Sequence, residues 1–289
     1  MTHLLPLAPH CPSLARTLFR SLVLAPSLAL SLFASGLPAS ADGLTNGNLA
    51  RIEVLDGGPL RQGDHQAALH LRLADGWKTY WRAPGDAGIP PLFDWQGSRN
   101  VGNVEIVWPT PIVFDQNGMR SIGYKDELVL PLRITPSRAG QEIHLSGRIE
   151  FGICKDVCIP AELNFAADLD KTSGRDPRIA AAMAQAPFSQ SEAGVTKASC
   201  ELSPVAGGLR VVARVAMPPI DGREAVVFEP NDPSLWSSES ATHWDSGTLV
   251  ADADLMHPEG GMIAIDRSAM TITVIGSGKS VEIHGCSAG

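Results

Sequence analysis

Residues 66–81, QAALHLRLADGWKTYW, decide the fold class of this chain. Apolar side chains recur at every second position from Ala67 to Leu73, which is typical of a β-strand with one buried face. Asp75-Gly76 is a turn signal, and the aromatic run at residues 77–81 has the composition of a second strand. We therefore predict that the two halves of this stretch form a β-hairpin.

The sequence around this hairpin continues the pattern of short strands and turns. Alternating apolar residues predict a strand at residues 51–55, separated from the hairpin by the Gly-Gly-Pro turn at residues 57–59. The segment PGDAGIPP at residues 84–91 is a loop, because its prolines lack an N–H donor and its glycines tolerate positive φ. Further strands are predicted at residues 104–108, 127–134, 142–151 and 162–169. Regular short strands with frequent turns indicate a β-sandwich.

The second half of the chain repeats this β pattern after one helical segment. Residues 171–176 are polar and rich in turn formers, and Pro177 opens residues 178–186, where alanine and methionine favour a helix. Strands follow at residues 199–202, 209–216, 224–229, 248–253, 262–266, 270–275 and 279–284. We predict an all-β chain of two immunoglobulin-like β-sandwich domains in tandem, joined by a short linker with a helical turn. The predicted boundaries are 42–172 for the first sandwich, 173–194 for the linker and 195–289 for the second sandwich.

The N-terminal segment carries the marks of export. Arg16 and Arg20 precede an apolar run at residues 22–37, and Ala39-Ser40-Ala41 supplies the small residues that signal peptidase requires. A cleaved signal peptide at residues 1–41 is the prediction. A retained anchor is the alternative, but the run contains a proline and is shorter than the roughly 20 apolar residues that span a bilayer.

The charge of the exported part argues against a nucleic-acid partner. Removing the two arginines of the signal leaves 21 basic residues of the original 23 against 31 acidic ones, a net charge near −10. Proteins that bind nucleic acid present a basic surface instead.

Four cysteines remain once Cys11 leaves with the signal, and an even number in an exported chain indicates disulfides. Three pairings are possible. Cys200 and Cys286 stand in the first and last predicted strands of the second domain, so their position favours a structural bridge between them. By the chain-entropy model, closing that loop of about 85 residues contributes up to about 4.5 kcal/mol. Two free or intermolecular thiols are the alternative. The remaining pair is Cys154 and Cys158.

The spacing of Cys154 and Cys158 constrains the backbone between them. In a straight strand these residues would lie roughly 13 Å apart, whereas a disulfide requires a Cα separation of about 4.4–6.8 Å. Lys155-Asp156-Val157 must therefore be a tight turn. So small a ring adds little stability and is better suited to thiol exchange than to stapling. Lys155 would favour a nearby thiolate and Asp156 would oppose it. A purely structural bridge and a two-cysteine metal site are the alternatives, although no histidine lies close in sequence.

Three blocks in residues 76–169 together resemble the amino-terminal, periplasmic domain of the DsbD thiol:disulfide interchange family. The blocks are GWKTYW at 76–81 running into PGDAG at 84–88, GMRSIGY at 118–124 followed by LPL at 130–132, and FGICKDVCIP at 151–160. The resemblance is nearest to the ScsB-like branch, associated with copper tolerance, whose periplasmic region is similar in having two immunoglobulin-like units.

The resemblance implies roles for individual residues. Cys158 maps to the cysteine that exchanges with partners, and Cys154 to the resolving thiol. A cap loop over the pair maps to residues 115–124, and the cap residues singled out are Asp115, Gly118, Ile122, Gly123 and Tyr124. Its two glycines are expected to act as hinges, and a mobile hairpin tip without a gating role is the alternative. Tyr80 and Trp81 are candidates for lining the site, but a Trp-rich strand is as often sandwich core.

The implied function is periplasmic electron relay without a cofactor, as a protein-disulfide reductase or interchange component. Electrons would pass from a membrane donor, a CcdA-like or DsbD-type transmembrane protein, to periplasmic thioredoxin-fold proteins. Two departures from the family pattern are the close cysteine spacing and the end of this chain at Gly289, which leaves the electron donor on another protein. The alternative function is a non-catalytic periplasmic binding or copper-handling adaptor with a structural disulfide. The residues that permit a copper site are Met217, Met256, His257, Met262 and His284.

Overall fold

The computed structural model describes residues 49–289, except residues 117, 171, 258, 261 and 262. The predicted signal peptide at residues 1–41 and the expected mature start near Asp42 lie outside the described residues. Within the described ranges, no helix has both the length and the apolar character needed to cross a membrane.

The first β-sandwich consists of two antiparallel sheets, one four-stranded and one six-stranded. Its strands are β1 Ala50–Pro59, β2 His65–Leu73, β3 Lys78–Tyr80, β4 Leu92–Asp94, β5 Asn103–Ile106, β6 Ile112–Gln116, β7 Met119–Lys125, β8 Glu127–Thr135, β9 Ile143–Cys154 and β10 Cys158–Leu169. The strand order is β1-β2-β8-β5 in one sheet and β10-β9-β3-β7-β6 in the other, where β4 also pairs with β9. Alternate residues of both sheets meet in one apolar core that contains Leu69, Leu132, Ile153 and Leu163.

The second β-sandwich follows a short helix, α1 Pro177–Met183. Its strands are β11 Phe188–Ser189, β12 Lys197–Val205, β13 Gly208–Ala216, β14 Ala225–Glu229, β15 Trp236–Ser237, β16 Ala241–Asp245, β17 Thr248–Met256, β18 Thr271–Gly276, β19 Lys279–His284 and β20 Ser287–Ala288. They form a sheet of order β11-β19-β18-β14 and a sheet of order β15-β17-β13-β12-β20, where β16 also pairs with β17. The predicted all-β fold with two tandem sandwiches is therefore confirmed.

Three local predictions were wrong. The predicted turn at residues 57–59 lies inside β1, where a register shift between Asp56 and Gly58 forms a bulge. Gly58 adopts φ +79°, which suits a bulged residue without a Cβ, and Pro59 is tolerated because β1 is an edge strand. The chain reverses instead at a 3₁₀ turn, Arg61–Gly63. In the second sandwich, Ile263–Asp266 of the predicted strand at 262–266 has no regular structure, while Met262 lies outside the described residues.

The third correction concerns the hairpin predicted for residues 66–81. Asp75-Gly76 does turn the chain, with a hydrogen bond from Trp77 N–H to the Ala74 carbonyl at 2.9 Å. However, β2 pairs with β1 and β8, whereas β3 pairs with β7 and β9 in the opposite sheet. The turn carries the chain across the core, so the aromatic residues of β3 reach the sheet that holds both cysteines.

The linker segment packs against the first sandwich and then joins the second. Asp176 caps α1 by accepting a hydrogen bond from the Arg178 backbone N–H. The helix buries Ile179 in a small cluster with Leu55 and Ala68 on the outer face of the β1-β2-β8 sheet. Further along, β11 pairs in parallel with β19 of the second sandwich.

Charged groups hold the two sandwiches together. Arg82, just after β3, donates Nε to Glu229 Oε1 at 2.7 Å and Nη2 to Glu282 Oε2 at 2.7 Å. Burial opposes the charge of Arg82, but the two carboxylates outweigh it and raise its pKa above the ordinary value. Nearby, the hydroxyls of Thr110 and Ser280 lie 2.8 Å apart. The first sandwich is therefore joined to the second just beyond the end of β3, through a paired, partly buried cation.

Candidate functional site

The site is the tip of the hairpin formed by β9 and β10. Cys154 ends β9 and Cys158 begins β10, and the two residues face each other in the antiparallel register. They form a disulfide with a Cα separation of 4.1 Å. The intervening turn is closed by a hydrogen bond from Lys155 N–H to the Val157 carbonyl at 3.4 Å. The chain thus folds back between the cysteines, as their spacing requires.

The two sulfurs of this disulfide lie in different environments. Cys154 is only 4% exposed and follows the fully buried Ile153. Cys158 is exposed, and the neighbouring Val157 is 66% exposed. An approaching thiolate therefore reaches the sulfur of Cys158 from solvent, whereas the sulfur of Cys154 is shielded by the sheet.

Tyr80 supplies a hydrogen bond to the exposed sulfur. Its hydroxyl oxygen lies 3.0 Å from Cys158 Sγ, and because a disulfide sulfur carries no proton, the hydroxyl is the donor. Burial raises the pKa of Tyr80 above its ordinary value, so the phenol keeps its proton at neutral pH. This side chain is in place because β3 pairs with β9 at Cys154, and because the Thr79 hydroxyl donates to the Gly152 carbonyl at 2.9 Å.

Trp81 lies in the core of the first sandwich and does not line the site. Its side chain is fully buried in the first sandwich, and the Arg82 guanidinium lies 4.5 Å from the centre of its ring. Of the two aromatic candidates, only Tyr80 contacts a cysteine of the disulfide among the described contacts.

A polar cleft adjoins the disulfide turn. It is open, has a volume of about 590 Å³, and its walls are formed by Gly76, Lys78, Phe114, Asp115, Lys125, Lys155 and Asp156. Lys155 Nζ donates a hydrogen bond to the Asp75 carbonyl at 3.2 Å, which fixes the side chain of Lys155 along one wall of the cleft. On the other side, Lys78 Nζ lies 4.7 Å from the centre of the Phe114 ring. Three lysines thus gather beside the disulfide of a chain with net negative charge.

The expected cap segment, residues 115–124, is a two-stranded hairpin. Asp115 lies on β6 and lines the cleft, and Gly118 sits in the turn with φ +76°. Ile122 and Tyr124 lie on β7 in the apolar core, and the Tyr124 hydroxyl donates to the Pro109 carbonyl at 2.8 Å. We call β6 and β7 the cap hairpin.

The expected hinge role of Gly123 needs correction. Gly123 lies within β7 and pairs with Tyr80 of β3 and Ile112 of β6. A Cβ at this position would collide with the Thr79 carbonyl, so glycine is needed for the close approach of the strands. The inner half of the cap hairpin is therefore a fixed part of the sheet.

Sequence reasoning did not single out Lys78, Phe114, Lys125 and Arg120, which also surround the cleft or hold the cap hairpin. Lys78 was detectable, because it stands two positions before Tyr80 on the same strand and so shares its face. The others depend on how the cap hairpin is placed, which periodicity does not show.

The second disulfide lies inside the other sandwich. Cys200 of β12 is fully buried, and its Cα lies 5.6 Å from that of Cys286. The bridge joins the first long strand of this sandwich to its C-terminal segment. Cys158 is exposed to solvent, whereas Cys200 is not.

Metal-binding geometry is absent from the described residues. No group of three or more His, Cys, Asp or Glu side chains within the described ranges is placed to hold a metal ion. Of the residues that permitted copper in the sequence, Met217 is buried in the second core, Met256 is the last residue of β17, and His257 follows that strand.

The fold and the site together define a class of protein, a tandem β-sandwich protein with an exposed disulfide at the tip of one hairpin. Residues 53–169 match the family model described as thiol:disulfide interchange protein DsbD, N-terminal. The part of the first sandwich that the resemblance singled out therefore also matches the model of this family's N-terminal domain.

The whole described fold also has a counterpart. The crystal structure of the N-terminal periplasmic domain of ScsB from Proteus mirabilis superposes with a TM-score of 0.66 and 22% sequence identity. The match covers 87% of this chain and 100% of that one, so the tandem arrangement is shared. Comparison of the sequence with curated proteins gave no match.

Proposed function

We propose that this chain is a periplasmic thiol-disulfide exchange protein whose Cys154–Cys158 pair cycles between a disulfide and a dithiol. In this role it takes two electrons from a membrane donor of the CcdA-like or DsbD type and passes them to periplasmic thioredoxin-fold proteins. The family of the first sandwich supports exchange chemistry. The observation that carries the proposal is the unequal exposure of the two cysteines, Cys158 open to solvent and Cys154 buried.

Reduction of the pair begins at the exposed sulfur. A donor thiolate attacks Cys158 Sγ, the bond to Cys154 breaks, and Cys154 leaves as a thiolate that takes up a proton. The second thiol of the donor then attacks its own sulfur in the mixed disulfide and releases Cys158. The donor ends as a disulfide, and this chain holds the two electrons as a dithiol.

Delivery of the electrons runs through the same sulfur. The Cys158 thiolate attacks an acceptor disulfide and forms a mixed disulfide, releasing one acceptor thiol. Cys154 loses its proton and attacks Cys158 Sγ, which frees the second acceptor thiol and restores the Cys154–Cys158 bond. Because Cys154 is shielded, a partner competes poorly for it, and it resolves the mixed disulfide from within the chain.

Tyr80 assists wherever Cys158 carries negative charge. Its hydroxyl remains protonated and stays within hydrogen-bond distance of the sulfur, so it stabilises the thiolate over the thiol. A lower thiol pKa raises the thiolate fraction available for attack at neutral pH. The cap hairpin, on the far side of the cleft, is proposed to control access to the pair.

A glutathione redox titration with alkylation and mass mapping of all four cysteines tests the proposal. We expect Cys154–Cys158 to be reduced alone, at a potential above the roughly −300 mV below which structural bridges tend to lie. Cys200–Cys286 serves as the internal control and should stay oxidised. If both bridges resist reduction together, Cys154–Cys158 is a structural bridge and the exchange function is excluded.

A further inference from the structure

The cap hairpin is attached unevenly to the first sandwich. Its inner half is bonded on both sides, because Gly123 pairs with β3 and with β6. In addition, the Ile122 carbonyl accepts from Trp81 N–H and the Ile122 N–H donates to the Pro84 carbonyl, both at 2.9 Å. Among the described residues, the hairpin's outer half, Met119–Ser121, has strand pairing with Phe114–Gln116 of β6 alone. A two-stranded ribbon of this kind is marginally stable by itself. The position of the outer half therefore depends on its side-chain contacts.

One such contact reaches the second sandwich. Arg120 of β7 places Nη2 2.8 Å from Glu239 Oε1, and Nη1 donates to the Ser240 carbonyl at 3.3 Å. Ser240 is 5% exposed, and its own hydroxyl donates to the Val226 carbonyl of β14. Arg120 thus binds a segment of the second sandwich that is itself hydrogen-bonded to β14.

A second contact lies on the side of the disulfide. Phe114 of β6 packs against Lys78, which pairs with Cys154 across β3 and β9. The outer half of the cap hairpin is therefore held from two directions, by Lys78 next to the site and by Glu239 on the other sandwich. With both contacts made, the cleft is open and Cys158 is exposed.

We propose that Arg120 is a positioning residue through which the second sandwich holds the cap hairpin away from Cys158. This inference rests on the proposed function, because access to Cys158 matters only if Cys158 exchanges with partners. The role of the second sandwich would then be to control that access. When the Arg120–Glu239 pair is broken, the outer half loses its ion pair with the second sandwich and keeps the contact of Phe114 with Lys78. The hairpin then spends more time over the cleft, and Cys158 is reached less often.

The test is the alkylation rate of Cys158 by iodoacetamide in protein reduced with a phosphine, read by mass mapping. Rates are compared at a pH above the thiol pKa, so that changes in thiolate fraction do not contribute. A partly exposed ion pair supports an effect of up to about fivefold, so Arg120→Glu should alkylate about two- to fivefold more slowly. Glu239→Arg should behave likewise.

Charge reversal provides the decisive comparison. The double variant Arg120→Glu with Glu239→Arg restores the ion pair, although not the hydrogen bond to the Ser240 carbonyl, and should recover most of the lost rate. Arg210→Glu is the matched control, because Arg210 forms a similar pair with Asp254 at 2.7 Å within the second sandwich alone. It should leave the rate unchanged.

Amide hydrogen exchange of residues 119–121 gives an independent reading. It should accelerate by a similar factor in the single variants and return in the double variant, because the released strand opens more often. Unchanged alkylation in Arg120→Glu, or slow alkylation that the double variant does not restore, overturns the inference. Neither measurement requires the disulfide to be redox-active, so failure of the glutathione titration would reject the proposed function without deciding this one.

Discussion

Replacing Tyr80 by phenylalanine removes one hydroxyl from the site and almost no apolar surface. In the oxidised protein that hydroxyl donates to Cys158 Sγ at 3.0 Å. After reduction, the same donor faces a thiolate, for which a hydrogen bond is worth more than for a neutral sulfur. The variant should therefore raise the pKa of the Cys158 thiol.

The size of the shift follows from the exposure of the sulfur. Hydrogen bonds to charged groups contribute about 1.5–3 kcal/mol, but Cys158 is exposed and water replaces part of the lost bond. The lower end applies, and about 1.4 kcal/mol corresponds to about one pKa unit. Well below the pKa, the thiolate fraction falls about tenfold. Its intrinsic nucleophilicity rises about threefold for a Brønsted coefficient near 0.4–0.5. Attack at neutral pH should therefore slow by about threefold.

The assay is the pH dependence of iodoacetamide alkylation of Cys158 in the reduced protein. Tyr124→Phe is the matched control, because it removes a buried hydroxyl that donates to the Pro109 carbonyl at 2.8 Å. That control should cost about 1 kcal/mol of stability and leave the pKa of Cys158 where it was. A Tyr80→Phe variant with the same alkylation pKa as the parent would refute a role for this hydroxyl at the thiolate.

Three further predictions concern the second sandwich and its contact with the first. Replacing Cys200 and Cys286 together by alanine opens a connection of 86 residues and should lower the free energy of unfolding in urea by about 2–5 kcal/mol; a loss under about 1 kcal/mol would contradict the staple role. Arg82→Met leaves two partly buried carboxylates without their cation and should cost about 1–3 kcal/mol by the same measurement, between exposed and fully buried pairs. Burial acts to raise the pKa of Glu224, but hydrogen bonds from Trp244 and from backbone N–H groups outweigh burial, and the pKa lies below the ordinary value. The stability that this carboxylate adds is present above pH about 4.3 and is lost as pH falls below it. The difference in unfolding free energy between parent and Glu224→Gln should shrink from pH 6 to pH 3, and a constant difference would exclude the effect.

The sequence alone was sufficient for features that depend on neighbours along the chain. The three residues between Cys154 and Cys158 must reverse the chain if the two cysteines are to pair, because no extended backbone brings their Cα atoms within disulfide range. Strand periodicity likewise located most of the strands in both sandwiches, and the Pro177 signal located α1 within a few residues of its observed end at Met183. These predictions rest on local geometry, which the order of residues determines directly.

Features that depend on the choice of partner strand were beyond this reasoning. Asp75-Gly76 signals a turn, but whether the following strand pairs with its predecessor or crosses to the opposite sheet is decided by the other strands of the core. Residues 57–59 have the composition of a turn, yet pairing with β2 extends through them as a bulged edge. Arg82 lies just after the GWKTYW block and Arg120 within the GMRSIGY block, but neither block shows that these side chains bind carboxylates of the second sandwich.

Strand β3 and the residues just after it connect the disulfide to the second sandwich. Lys78 pairs with Cys154, Tyr80 reaches Cys158, and Arg82, two residues further, is bound by carboxylates of the second sandwich. Lys78 and Tyr80 lie on one face of β3 because side chains alternate along a strand, and Arg82 follows two residues after the end of β3. A short strand fixed at the hairpin by backbone pairing and beyond its end by Arg82 has little freedom to shift along its axis. Contacts at both ends of β3 therefore hold the Tyr80 hydroxyl in position to donate to the exposed sulfur. A substitution that removes the contact at either end should weaken this hydrogen bond more than it disturbs the packing of the buried core.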